Sequence, residues 1–492
     1  MAITMPVVAP ENPEYSQFRQ LVRRYRRSDI LGLTAEVAAE LHTRRMNGAS
    51  LHEYPECIRE FALAGVARTA LIAANEFRDL RLQRKDLVRL CDVYLHLQDP
   101  ETMRPDPSVR QLVSKYAYEQ YPFQSSIMEP LARSVALFLD GESRVSDSPT
   151  DENWSDKLGI SLEDFMRLGF ALHVATLKHK GRIGRAVLRR PQVQPVFAPH
   201  SVDFALAIAD RHFVAEPSWH RDCGAEQEKC GYERWSPNPL QARPLVAVDD
   251  DLVAPAPQYL VDRISSLGMY FLGIDLFGGK RFPEILGRMF ERYVGRQLGL
   301  LQRAWVRGEI RYGKAERLSA DFFVVTGEVI VIVEAKSARP TANTRAGIEQ
   351  GEQDLARTIR KAISQIEITA QLVQSRHEDF TQIPTDRPLV GLVVTAEPFY
   401  LASTSFFDDY RSRASIPIGI ASSLDLENVV ATLAARSDVG SRLLAALNVA
   451  PGITPNLRTA IDGISPKRNP ILEAAWTRWS FVRDGSWGSP PR

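Results

Sequence analysis

Cysteine is scarce in this chain, with four among 492 residues. That is too few for a disulfide-stapled scaffold and fits a reducing compartment. No stretch approaches the roughly 20 consecutive apolar residues that a membrane-spanning helix needs. The mildly apolar start, Met1 to Pro10, lacks the basic region and cleavage pattern of a signal peptide. A cytoplasmic protein without a membrane partner is therefore expected. A Gly-x4-Gly-Lys phosphate loop is missing, which excludes translocation driven by that motif, and neither internal repeats nor low-complexity tracts occur. Charge of one sign is also missing: the net is +1 with pI near 7.7, so any grip on nucleic acid must be local. What the chain does have is apolar material, 44% of its residues, in a length that exceeds one core and implies two or three domains.

The most informative segment runs Leu318-Ser-Ala-Asp-Phe-Phe-Val-Val-Thr-Gly-Glu-Val-Ile-Val-Ile-Val-Glu-Ala-Lys336. Two runs rich in Val, Ile and Phe flank Gly327-Glu328, and glycine in the first central place predicts a type II′ two-residue turn. With Thr326 opposite Val329, the register puts Asp321 across from Glu334, with β-carbons about 4.5–5.5 Å apart. Residues two apart on a strand share a face, so Lys336 lies beside Glu334. Two carboxylates in a poorly hydrated place repel one another unless a cation neutralises them. Hard oxygen ligands of this kind suit Mg2+ or Mn2+. The amine can then hold or deprotonate an attacking water, the division of labour that metal-assisted phosphodiester hydrolysis requires. The alternative is a structural ion pair between Lys336 and the two acids.

Asp, a hairpin, then Glu-Ala-Lys resembles the signature of the PD-(D/E)XK nuclease superfamily, and within it the Mrr-like and defence-associated members. Ala320 stands where that signature has proline. The resemblance covers residues 280 to 400 and implies an α/β restriction-endonuclease-like core, a mixed sheet flanked by helices in the order αβββαβ. The flanking patterns agree with this order. Leu286, Met289, Phe290, Tyr293, Val294 and Leu298 mark an amphipathic first helix, Gly308 to Tyr312 a first strand, Leu355 to Val373 a second long helix, and Pro388 to Ala396 a strand buried on both faces. The resemblance further implies that Asp321 and Glu334 hold the cation with the Ala335 carbonyl, that Glu291 on the first helix joins them, that Lys336 activates water, and that Gln365 assists. It also implies DNA as substrate and a role in defence against foreign or phage DNA. A partner or activating protein and a homo-oligomer both stay open.

From Arg303 to Arg345 eight Lys or Arg face five acids, and Arg339 and Arg345, in the polar loop beyond the catalytic strand, are candidates to touch a phosphate backbone. Residues 1–200 carry helical spacing throughout and are expected to form a mainly α-helical domain for recognition or regulation. There, Arg89 to His96 and Arg167 to His173 fit the loose Arg-x4-6-His spacing of helical ribonucleases, an alternative reading of function. Residues 201–260 read as a proline-rich junction. Within it His212, His220, Cys223 and Cys230 offer four zinc-capable side chains, although no standard finger has their spacing. The nuclease domain is expected over 261–440, with a helical extension over 441–492 whose tryptophans either pack on the core or stack bases. A catalytically inactive nuclease-fold module that binds nucleic acid or protein remains the third reading.

Overall fold

The computed structural model describes residues 13–103, 108–124, 126–229, 232–400, 404, 408–411, 414–450 and 452–479. The chain is a mixed α/β protein with sheets of four and five strands flanked by helices. The helical spacing of the first 200 residues is realised in helices that include Glu60–Ala73, Arg84–Leu95, Met128–Phe138 and Leu162–Lys178. Among the described residues no strand precedes β1 (Arg182–Gly184). β1 joins β2 (Val214–Ala215), β3 (Leu245–Val248) and β4 (Asp251–Val253) in the order β1-β4-β3-β2. The prolines of this region bracket strands: Pro244 precedes β3, while Pro255 and Pro257 follow β4. A residue without an amide donor is tolerated at such borders and not inside a ladder.

The larger sheet has the order β11-β10-β9-β8-β5, built from β5 (Trp305–Gly308), β8 (Phe322–Val325), β9 (Ile330–Lys336), β10 (Leu389–Thr395) and β11 (Ile418–Ser422). β5, β8 and β9 run antiparallel in turn, whereas β9, β10 and β11 are parallel. Alternation sorts the side chains. Val331, Val333, Val390, Leu392 and Val394 join Met289, Phe290 and Tyr293 of the helix Arg281–Leu298 in one cluster. Ile330, Ile332 and Val393 join Ile359, Ala362 and Ile366 of the helix Glu349–Gln374 in another. Both faces of β9 and β10 are thus covered, which is why these strands read as continuous apolar runs.

Two local expectations need correction. Gly327 is not among the residues with positive φ, so the hairpin turn is not type II′. Thr326 closes it instead: its hydroxyl donates to the Val329 carbonyl (2.9 Å) and accepts from the amides of Glu328 (3.3 Å) and Val329 (3.1 Å). The first strand ends at Gly308 rather than starting there. Beyond it Ile310 turns into the core, and Arg311–Tyr312 (β6) pairs with Arg317–Leu318 (β7) in a separate ribbon.

The first cluster runs from Ile127 to Trp479 and so crosses the boundaries expected at 200, 260 and 440. One buried polar network fastens its pieces. Arg133 donates twice to Glu427 (2.6 and 2.8 Å), Tyr293 adds a hydroxyl to the same carboxylate (2.7 Å), and Gln297 donates to Tyr293 (2.9 Å). Asn469, which caps the helix Pro470–Arg478, reaches both Gln297 and the Glu427 carbonyl. That helix packs Trp476 and Trp479 around Phe170, so these two rings close the core, while Trp487 lies outside the described residues. Removing one partner of a buried bidentate pair leaves an uncompensated charge. Arg133→Ala is therefore expected to lower unfolding stability by about 3–5 kcal/mol, and Arg133→Ala with Glu427→Gln by clearly less, as urea denaturation of the two variants will measure.

Candidate active site

Asp321 sits one residue before β8. The β8–β9 ladder pairs Phe322 with Val333, and one further step sets Asp321 opposite Glu334, as the hairpin register predicts. The β5–β8 ladder pairs Gly308 with Phe322, and the same step on that side sets Glu309 opposite Asp321. Three carboxylates thus stand in one row across three strands, and Asp321 is in the middle. Glu309 was not a sequence candidate. A strand over 308–312 makes Glu309 a mid-strand residue; the apolar pair Trp305 and Val306 just upstream is the signal that moves the strand to Trp305–Gly308 and sets Glu309 at its end.

Glu291 comes from the helix Arg281–Leu298. That helix approaches β8 closely because Gly295 lacks a side chain: a β-carbon there would lie 2.8 Å from the Phe322 ring. The carboxylates of Glu291, Glu309 and Asp321 can each place an oxygen within 4.8 Å of the others, and they are the one such ligand group among the described residues. Glu334 is outside that mutual set. It is 1% exposed, with one oxygen bonded to the Lys336 ammonium and the other, Oε2, without a hydrogen-bond partner. A buried carboxylate oxygen without a partner is costly, and a cation or a water would relieve it. Asp321 Oδ2 accepts the Ala335 amide at 2.7 Å, so Ala335 fixes Asp321 through its N–H.

The electrostatics follow from this crowding. Glu291 is pushed up to about 7 by burial, with Asp321 and Glu309 adding repulsion. Glu334 is pushed up to about 7 by burial and by Asp321, against the pull of Lys336. Burial also raises Asp321, while the Ala335 amide and Lys336 hold it down. The donor set is all oxygen and carries excess negative charge, which fits Mg2+ or Mn2+.

Gln365 reaches the site indirectly, donating to the Ser319 carbonyl at 3.0 Å and so steadying the segment that leads into Asp321. Arg339 turns inward: its guanidinium lies 4.2 Å from the Tyr270 ring centroid, it donates to the Ser337 carbonyl, and burial lowers its proton affinity. Arg345 ends the short helix Ala342–Arg345 half-buried, near enough to draw down Asp262, which burial pushes up to about 7. Neither arginine is presented as a fully exposed backbone contact.

Among the described residues the zinc candidates are not brought together. His212 is buried with Nε2 on the Leu158 carbonyl (2.9 Å), His220 is buried on the next helix, and neither forms a ligand group with Cys223. Cys230 lies outside the described residues. The polar, proline-rich composition reads as a loop-like junction, whereas His212 lies on the helix Val202–His212 and His220 and Cys223 on the helix Pro217–Glu228. The ribonuclease pair fares similarly. His173 is fully buried, with Nδ1 on the Pro257 carbonyl and a proton affinity lowered to about 3 by burial, and His96 is exposed beside Asp92.

No protein-family model, curated protein or solved structure matches this chain.

The pH response of the site has a definite sign. Glu291 and Glu334 bind protons more tightly folded than unfolded, so their contribution to stability is full below the ordinary carboxyl range and is lost as pH rises through about 7. With a chelator present, wild type should lose melting temperature relative to Glu334→Gln between about pH 5 and pH 8. A cation competes with those protons, so Mn2+ affinity followed by titration calorimetry should rise across the same interval. A flat profile in both measurements would remove the carboxylate row as a cation site.

Proposed function

We propose that this protein is a metal-dependent nuclease of the PD-(D/E)XK type that hydrolyses phosphodiester bonds of DNA. The observation that carries the reading is the row Glu309, Asp321, Glu334 at the end of a mixed sheet, with Lys336 on Glu334 and Glu291 alongside. The order of elements supports it: the helix Arg281–Leu298, the strands β5, β8 and β9, the helix Glu349–Gln374, then β10 parallel to β9. That is the order the resemblance implies for a restriction-endonuclease-like core.

In this reading Asp321, Glu291 and Glu309 would hold Mg2+ or Mn2+. Bound there, the cation neutralises charge on the scissile phosphate and makes water a better nucleophile at neutral pH. Lys336 keeps its ammonium at the mouth of the site, 24% exposed against 1% for Glu334. From there it orients the attacking water or donates a hydrogen bond to the phosphoryl oxygens as negative charge builds. Glu334 positions Lys336. Gln365 positions the strand entry and touches no substrate. The role against foreign or phage DNA belongs to this proposal and rests on the resemblance.

Purified wild type with Mg2+ or Mn2+ should cut at least one member of a panel of linear, circular and single-stranded DNA, with RNA as the comparison. Lys336→Ala should lower the cleavage rate by about 10²–10⁴-fold while the variant still folds and binds Mn2+. Equal rates for the two proteins would show that the lysine takes no part, and cleavage of RNA alone would overturn the substrate. No cleavage of any substrate by wild type that does bind Mn2+ would favour a nuclease-fold module without activity.

A further inference from the structure

The helical region contains a cavity of about 830 Å³ between the helices Arg27–Met46, Arg84–Leu95 and the end of Leu162–Lys178. None of its lining residues belongs to the five-stranded sheet. Its size is that of a small-molecule site. Val37, Ile58 and Leu87 form a buried apolar floor, and Tyr54 stands on the wall. The rim is basic. Arg44 is paired with Glu53 (2.8 Å) and Arg84 with Glu40 (2.6 Å), which uses both acids of the lining. Lys85, Lys178 and Lys180 also line the cavity, and among the described residues no hydrogen bond or ion pair engages their ammonium groups.

Two helix ends meet at this space. The start of the helix Arg84–Leu95 supplies Arg84, Lys85, Leu87 and Val88 to the lining, while its first amides are closed by the Gln83–Asp86 capping box. Lys180 has φ +50° directly after the helix Leu162–Lys178. Its amide and that of Gly181 return to the carbonyls of Leu177 and Thr176, a helix stop in which glycine is usual at the position Lys180 holds. The carbonyl end of this helix favours cations, which suits Lys178 and Lys180 at the rim.

We propose that this cavity binds a nucleoside polyphosphate, with the phosphates on Lys85, Lys178 and Lys180 and the base over the apolar floor beside Tyr54. Both parts are needed: three unpaired cations call for several negative charges, and a floor of Val, Ile and Leu calls for a flat, weakly hydrated body. The site is separate from the carboxylate row and does not depend on the nuclease reading.

The test uses the full chain with a chelator present, so that no cation bridges phosphate to the carboxylates. Titration calorimetry with an equimolar mixture of the four ribonucleoside diphosphates should give saturable binding near one ligand per chain, weakening as salt rises. Lys85→Gln with Lys178→Gln should weaken it about tenfold or more, the scale of a lost charge-assisted bond, with the melting temperature unchanged. Lys467→Gln, a change at an exposed lysine outside the lining, and Lys336→Ala should leave it as it is. Absence of saturable binding at millimolar nucleotide, equal loss in Lys467→Gln, or binding of inorganic phosphate as tight as that of the nucleotides would each overturn the assignment.

Discussion

Much of this molecule hangs on the register of β8 between its two neighbours. A strand slipped by one residue would send Phe323 and Val325 to the wrong helix and would carry Asp321 away from both Glu309 and Glu334. The core and the carboxylate row are therefore fixed by the same pairings. The apolar side chains provide the energy that holds the register, and the acids, one step beyond the last ladder pair on each side, are placed by it. This is how a site with adjacent like charges can persist: the repulsion acts on groups whose backbone is held by two covered faces of a sheet.

The helices complete the arrangement by approach rather than by extra bonds. Gly295 lets the helix Arg281–Leu298 come down on Phe322, which brings Glu291, one turn earlier, beside Asp321. On the opposite face Gln365 clamps Ser319. The Arg133–Glu427 network then ties the first of these helices to elements nearly three hundred residues apart in sequence, through Tyr293 on the helix itself. The position of Glu291 thus depends on packing that reaches from Arg133 to Asn469.

Legibility in the sequence divides along the range of the interactions. The hairpin register could be read because it depends on a count outward from a turn, and the count holds although Thr326 rather than Gly327 shapes that turn. The long amphipathic helices and β10 could be read because their periodicity is strong and continuous. Glu309 was missed because a strand of four residues ending at glycine carries little pattern, and because its meaning comes from a neighbour twelve residues on. Arg339 looked like a surface cation in a polar loop, yet a single ring, Tyr270, draws it inward. The zinc quartet looked suggestive because residue type was visible and helix packing was not.

Those histidines have a consequence of their own. His173, His212 and His220 are buried as neutral rings, with proton affinities lowered to about 3, 4 and 4 by their surroundings. Unfolded, each would take up a proton near its ordinary value, so the unfolded chain gains protons first as acidity increases. The stabilisation of the folded form by these rings is complete above that ordinary value and drains away as pH falls below it. His173 packs edge-on against His42, at 5.0 Å between centroids, where two helices meet. Mild acid therefore presses on the helical half at an internal seam, while the carboxylates of the sheet resist the same change.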